Sequence, residues 1–258
     1  MVLSESGRDI ESLDHLDKAQ ALLRQVEAPT RLSEGDVLDA LGNSQLRIGR
    51  LEEARSSLER ALELHREETG RRSETVAATL INLGMAHWMS GDTEKARNRL
   101  EEALDISELR LPVGHPNFAT LRNNLALLHR NAGRYEEAEA HYDRALDIAV
   151  RSGGPDHRSV GAVLFGAGRL YLLQSRPERA FEALERSLAI GLAQHPDDHE
   201  TGRRWLWSAV AAHALGRSDA QQRFDNGERL VSASPYGESY THEIDEARSI
   251  LASSREDP

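Results

Sequence analysis

One spacing governs this chain. Gly49, Gly91, Gly133 and Ser175 stand 42 residues apart, and the same interval separates Ala54, Ala96, Ala138 and Ala180, then Ala61, Ala103, Ala145 and Ser187. A period of this length is the mark of a solenoid, in which each unit is too small to bury its own apolar face and does so only against its neighbours. The expectation is therefore one body built by stacking, running through most of the 258 residues, and not two independent globular domains.

Within a period the apolar residues fall at helical spacing. Leu80, Leu83, Gly84 and His87 recur at i, i+3, i+4 and i+7, on one face of a helix. Gly91-Asp92 breaks that helix, and a second one follows with Ala96, Leu100, Ala103 and Leu104 on its buried side. Small residues at 96 and 103 let the two helices approach closely while Leu100 fills the gap between them. The flanking units repeat the scheme: Leu38, Leu41, Gly42 with Ala54, Leu58, Ala61; Leu125, Ala126, His129 with Ala138, Tyr142, Ala145; Leu164, Ala167, Gly168, Tyr171 with Ala180, Leu184, Ser187. Usage rich in Ala, Leu, Glu and Arg, all strong helix formers, supports an all-α class.

These units resemble tetratricopeptide repeats, whose pattern is W-x2-L-G-x2-Y followed by A-x3-F. Leu80-x2-Leu83-Gly84-x2-His87 with Ala96-x3-Leu100, and Leu164-x2-Ala167-Gly168-x2-Tyr171 with Ala180-x3-Leu184, carry the match. A unit of 42 residues rather than 34, the segment from Gly114-His115-Pro116 to Leu128, and the run Gly133-Arg134-Tyr135-Glu136-Glu137-Ala138-Glu139 are similar to the kinesin-light-chain type of repeat. The resemblance implies a right-handed α-solenoid of antiparallel helix pairs whose concave surface, lined by the first helices, binds an extended peptide or a partner helix. Bacterial arrays of this type often act with an effector, as a fused domain or the product of the same operon, and the Arg-rich, Lys-poor usage fits a bacterial source.

The register sets three regions: an N-terminal cap or half repeat over 1–33, repeats over 34–231, and a C-terminal cap and tail over 232–258. Leu16, Ala19, Leu23 and Val26 look like the second helix of a pair without its first. In the fifth unit Ala220 and Phe224 arrive two residues early, so its second helix is displaced. Beyond Pro235, Tyr240, Ile244, Ala247 and Leu251 form a stripe that predicts a closing helix. The residues from Ser253 to Pro258 are expected to fray.

Charge and composition narrow the partners. A formal charge of −11 repels phosphate backbones and anionic lipid, which argues against nucleic acid and membrane partners. The chain has no cysteine, which excludes disulfides and thiolate metal sites, and no apolar run of spanning length, so a cytoplasmic protein is expected. Neither P-loop nor nucleophile-elbow spacing is present, and Gly153-Gly154-Pro155 follows a helix, which makes it a turn. No enzymatic activity and no cofactor is expected.

Function is then expected on the inward positions of the first helices. The candidates are Asn43 and Arg47; Ile81, Met85 and Trp88; Asn123, Leu127 and Arg130; and Phe165 and Arg169. An apolar surface flanked by Arg130 and Arg169 suits a protein or peptide ligand with an apolar anchor and an acidic group, because a guanidinium can grip a carboxylate with two parallel hydrogen bonds. Packing against the next repeat is the competing account of Ile81, Met85 and Leu172. The glutamates at 52, 53, 59, 63, 94, 101, 102, 136, 137 and 139 fall mainly on the outward side as a solvated face. His115, His157 and His199 share the repeat register and are expected to fix the loops entering first helices; His87 and His129 are expected to pack in the core with one nitrogen satisfied. His195-Pro196-Asp197-Asp198-His199-Glu200 has metal-ligand residue types without a metalloprotease spacing, and no metal site is expected.

Overall fold

A computed structural model of the chain describes residues 31–110, 114–234 and 237–253. The helix expected over Leu16–Val26 and the tail beyond Ser253 lie outside the described residues. Contacts divide the chain into two compact units, Met1–Leu128 and His129–Pro258. Among the described residues all regular structure is helical, which is the class the period implies.

The first unit contains α1 (Arg31–Arg47), α2 (Leu51–Thr69), α3 (Glu74–Met89), α4 (Thr93–Arg110) and most of α5 (Pro116–Asn131). The second contains α6 (Tyr135–Gly153), α7 (Arg158–Leu173), α8 (Pro177–Gln194), α9 (His199–Ala214), α10 (Ala220–Ser232), a 3-10 turn over Gly237–Tyr240, and α11 (Thr241–Ser253). Within the two units, α1 packs on α2, α3 on α4, α7 on α8 and α9 on α10.

The turn between paired helices is the same device five times. Gly49, Gly91, Gly133 and Gly216 have φ of 78°, 83°, 73° and 66°, in the left-handed region, and Ser175 holds φ 56° at the same register. The next residue's N–H reaches back five residues to a carbonyl: Arg50 to Gln45 at 2.9 Å, Asp92 to His87 at 2.9 Å, Arg134 to His129 at 2.9 Å, Arg176 to Tyr171 at 2.9 Å and Arg217 to Ala212 at 3.0 Å. That bond satisfies a carbonyl which the end of a helix would leave unpaired. Ser175 is the only described non-glycine with positive φ.

Small residues sit where helices touch, as the period demands. Ala54, Ala96, Ala138 and Ala180 are fully buried, as are Ala61, Ala103, Ala145 and Ser187. The Ser187 hydroxyl, polar at an otherwise alanine position, donates to the Gly161 carbonyl at 2.7 Å. Opposite them, a glycine in α1, α3 and α7 meets the large residue of the second helix. A Cβ on Gly42 would lie 2.6 Å from Leu58 Cγ, one on Gly84 2.9 Å from Leu100 Cγ, and one on Gly168 2.5 Å from Leu184 Cγ.

The fifth pair solves its shortened spacing differently. A Cβ on Gly227 of α10 would lie 2.7 Å from the Leu206 nitrogen and 2.8 Å from the Gly202 oxygen, so α9 and α10 meet backbone to backbone. The last helix, α11, packs on α9 and α10. It buries Ile244, Ala247 and Leu251 as the stripe predicts, whereas Tyr240 belongs to the preceding turn. It also buries Glu243, which the stripe does not predict.

The histidine expectations divide. Ser73 and His157 cap α3 and α7, accepting from the nitrogens of Val76 and Ser159, and His115 Nδ1 accepts from the Asn117 nitrogen at 3.3 Å ahead of α5. In the fifth unit the cap slips by one residue: Asp198 accepts from the Thr201 nitrogen at 2.7 Å, and His199 instead stacks on Tyr240, ring centroids 5.5 Å apart. His87 is buried as expected, but its Nδ1 finds no hydrogen-bond partner among the described residues, and burial pushes its pKa down. His129 stacks on His141 at 5.2 Å.

Candidate functional site

The inward residues of the first unit form an apolar surface over its core. Ile81, Met85 and Trp88 of α3 are half-buried and pack against the cluster that includes Leu80, Leu83, Leu100 and Leu125. Packing therefore accounts for much of Ile81 and Met85, while each still shows part of its side chain. Leu127 of α5 is half-buried and Asn43 of α1 exposed. Arg47 ends α1, and its side chain is outside the described ones. Asn123 holds a buried Oδ1 with no hydrogen-bond partner among the described residues.

A polar group that sequence reasoning missed lies beside this surface. His65 of α2, 1% exposed, places Nδ1 3.0 Å from Thr79 Oγ1 and Nε2 3.4 Å from Asp36 Oδ1. Asn82 Nδ2 donates to Asp39 Oδ2 at 3.2 Å, and burial raises the Asp39 carboxyl against the Thr79, His65 and Asn82 contacts that lower it. The only prior signal was Gly35, where a Cβ would come within 2.6 Å of the His65 ring.

The second unit gathers more. Arg130, near the end of α5, is 6% exposed; its Nε and Nη2 donate to Asn131 Oδ1 at 3.3 and 3.2 Å, and no carboxylate among the described residues lies within ion-pairing reach. Phe165 and Arg169 rise from α7, Arg203 and Trp207 from α9. Between them sits the carboxylate of Glu243 from α11, its side chain 4% exposed. Arg203 grips it with Nε to Oε2 at 3.0 Å and Nη2 to Oε1 at 2.8 Å. Arg169 Nη1 donates to Oε1 at 3.0 Å and Trp207 Nε1 to Oε2 at 3.1 Å, so four donors meet the two oxygens. Aromatic rings form the walls: Arg169 lies 3.9 Å over Trp207, and Arg203 lies 4.4 Å over Tyr240 and 5.2 Å from Phe165.

The electrostatics follow from that geometry. Burial alone would raise the Glu243 carboxyl, but the hydrogen bonds and charge of Arg203, the charge of Arg169 and the Trp207 hydrogen bond hold it at about 2. Burial lowers Arg169 to about 10, Arg130 and Arg203 push it the same way, and Glu243 opposes. Arg203 moves up because Glu200 and Glu243 outweigh its burial. The cluster holds one carboxylate with four donors, and that carboxylate belongs to the chain itself.

A sequence profile for the tetratricopeptide repeat matches residues 1–67, 43–108 and 117–193, more than half of the chain. The chain belongs to the tetratricopeptide repeat family. Solved structures share the fold at low identity. BtubC (BKLC) from P. vanneervenii is similar at 21% identity and a TM-score of 0.67, over 97% of this chain and 93% of that one. A putative kinesin light chain from Podosopora anserina, with nearly identical TPR-like repeats, is 22% identical with a TM-score of 0.62, over 80% and 97%. The apo quorum sensor NprR from B. thuringiensis is 16% identical with a TM-score of 0.71, over 93% of this chain and 64% of that one. No curated protein matches the sequence. Among the described residues no helix is long and apolar enough to cross a membrane, and no three His, Asp or Glu side chains converge as a metal site.

Of the ten sequence candidates, Phe165 and Arg169 are brought together, around a carboxylate contributed by a segment outside the repeats. Trp207, a member of the same cluster, lies 42 residues after Phe165, so the period carried one step further would have found it. Nothing in the spacing marked Arg203 or Glu243.

Proposed function

We propose that the chain is a protein-interaction module that binds a peptide or partner segment on the faces formed by the first helices of its repeats. Trp88 supplies an aromatic anchor in the first unit, and Arg169 a carboxylate contact in the second. The observation that carries the reading is the Glu243 cluster, because it displays on a first-helix face the donors that hold an acidic side chain. The tetratricopeptide repeat is itself a protein-binding architecture, and its stacked first helices offer extended surfaces of the kind peptides occupy. No catalytic step is assigned to it.

A peptide-display selection against the full chain tests this. Selected peptides should combine an acidic residue with a large apolar one, and Trp88→Ala should weaken them by about 2 kcal/mol, the scale of an aromatic hot spot. Charge reversal at the outward Glu101 and Glu136 should leave them unaffected. Peptides that ignore Trp88→Ala and are lost with the outward variant would move the function to the opposite surface.

A second reading is favoured by the self-supplied carboxylate: a sensor in which a bound peptide changes the state of the chain and passes it to an effector. The quorum sensor NprR shares the fold. Small-angle scattering with and without a selected peptide separates the two, since a rigid scaffold keeps its radius of gyration and a sensor does not.

A further inference from the structure

The chain carries little sulfur, and most of it is in one place. There is no cysteine, and of the three methionines only Met85 and Met89 follow Met1. Both belong to α3, four residues apart, so they share one helical face with Trp88. Met89 is the last residue of the helix and is 43% exposed. Met85 is half-buried and, like Trp88, packs on the core cluster that holds Leu80, Leu83 and Leu100. The repeat supplies its own control for these two positions. At the register of Met85 the other units carry Asn43, Leu127 and Arg169, and at that of Met89 they carry Arg47, Asn131 and Leu173. Neither position needs a thioether in order to pack, since leucine, a volume-conserving exchange, fills each of them elsewhere. What methionine adds is a flexible stem and a sulfur that peroxides oxidise.

We propose that Met85 and Met89 form a reversible oxidation site, and that a peroxide acting there turns the apolar face of α3 polar and releases a ligand anchored on Trp88. This deepens the peptide-binding reading by naming a regulation of its first-unit surface, and it rests on that reading. In the forward step a sulfur lone pair attacks one peroxide oxygen, the O–O bond breaks, an S–O bond forms and the second oxygen leaves as water. Sulfur is oxidised by two electrons and the peroxide is reduced by two. A dithiol reverses the step: the sulfoxide oxygen leaves as water and the dithiol becomes a disulfide. The two residues answer differently because their surroundings differ. A sulfoxide on Met89 turns its oxygen to solvent at little cost. On Met85 the same oxygen lies against leucines that offer it no donor, so the helix face must loosen to hydrate it.

The full chain is treated with hydrogen peroxide at neutral pH and followed by peptide mass mapping. Met89 should take oxygen first and Met85 about threefold more slowly or slower still, in the order of their exposure. The doubly oxidised chain should melt about 3 °C or more below the parent, the scale of one unanswered buried polar group in a chain of this length, and amides of α3 should exchange faster. The two stereospecific methionine sulfoxide reductases with dithiothreitol should restore both mass and midpoint. A display-selected peptide that Trp88→Ala weakens should bind the oxidised chain about tenfold more weakly or worse. Peroxide should leave that peptide's affinity for the chain with Met85→Leu and Met89→Leu together unchanged. Methionines that stay unoxidised in the folded chain, under conditions that convert free methionine, overturn the proposal, and so does an oxidised chain with the parent's midpoint and exchange. A Trp88-dependent peptide that binds the oxidised and reduced chains alike also overturns it, and leaves the broader reading standing. A selection that yields no Trp88-dependent peptide removes the broader reading, and the proposal with it, even where mass and midpoint move.

Discussion

Gly168 of α7 faces Leu184 of α8 so closely that a single methyl group tests the packing. A Cβ there would lie 2.5 Å from Leu184 Cγ, 3.0 Å from Cδ2 and 3.3 Å from Cδ1, and Leu184 is fully buried. Ordinary carbon–carbon contact begins near 3.5 Å, so Gly168→Ala asks the leucine to retreat by roughly 1 Å into a core without room for it. Two effects then oppose. Alanine gains about 1 kcal/mol of helix propensity over glycine in a helix interior. Overpacking of this kind costs about 1–3 kcal/mol. The net expectation is a loss of about 1 kcal/mol, read from urea melts of the variant and parent. The diagnostic is a double-mutant cycle. Leu184→Ala alone should cost about 2–5 kcal/mol. The added methyl at 168 should then become favourable, because it occupies vacated space, giving a coupling of at least about 1 kcal/mol. A Gly168→Ala protein stabilised by the propensity value, or a cycle whose terms simply add, would refute the close approach of α7 and α8 at this point.

Two further outcomes follow from single residues. Ser175→Gly should stabilise the chain by about 0.5–1 kcal/mol, because serine pays a left-handed penalty of about 1–2 kcal/mol at φ 56° that glycine avoids, less glycine's own entropy cost; an unchanged or lower urea midpoint would count against it. The Glu243 carboxyl, held at about 2 against an ordinary 4.5, contributes stability that is complete above pH 4.5 and is lost as pH falls toward 2. That shift corresponds to about 3 kcal/mol as an order of magnitude, and hydrogen exchange in 241–253, corrected for intrinsic rates, should accelerate across this window in the parent and lose the dependence in Glu243→Gln.

Much of the fold was legible because a repeat multiplies every local signal. One glycine before a polar residue is a weak indication of a turn, but four equivalent positions at one interval point to one backbone conformation, and even Ser175 adopts it. The alanine positions were legible for the same reason. Where the chain leaves the register, the signal fades. His199 has the spacing of a cap, yet Asp198 is better suited to accept a backbone N–H and the helix begins one residue earlier than the period puts it. Glu243 was invisible for a different reason. It lies 74 residues from Arg169, on a helix with no counterpart in other repeats, so no interval tied it to its partners and it read as one acidic residue among many. Arg169 was read as a contact for a ligand's carboxylate, whereas in the structure it pairs with the chain's own Glu243; that the chain would supply a carboxylate depends on how the last helix folds back, which period and composition do not encode.

The glycine-to-leucine approach also bears on how such a chain can change in length. The contact closes inside one helix pair, as Gly42 with Leu58, Gly84 with Leu100 and Gly168 with Leu184, so a duplicated or excised block of 42 residues leaves each surviving glycine facing its own leucine. A block one residue longer or shorter would rotate every side chain beyond the join within its helix by about 100° and set leucine against the wrong face. A join inside a helix is therefore tolerated only in whole units. The fifth pair is the exception: with two residues removed and its contact transferred to Gly202 and Gly227, it is no longer interchangeable with the others, and an array that ends in it can gain repeats only upstream of that pair.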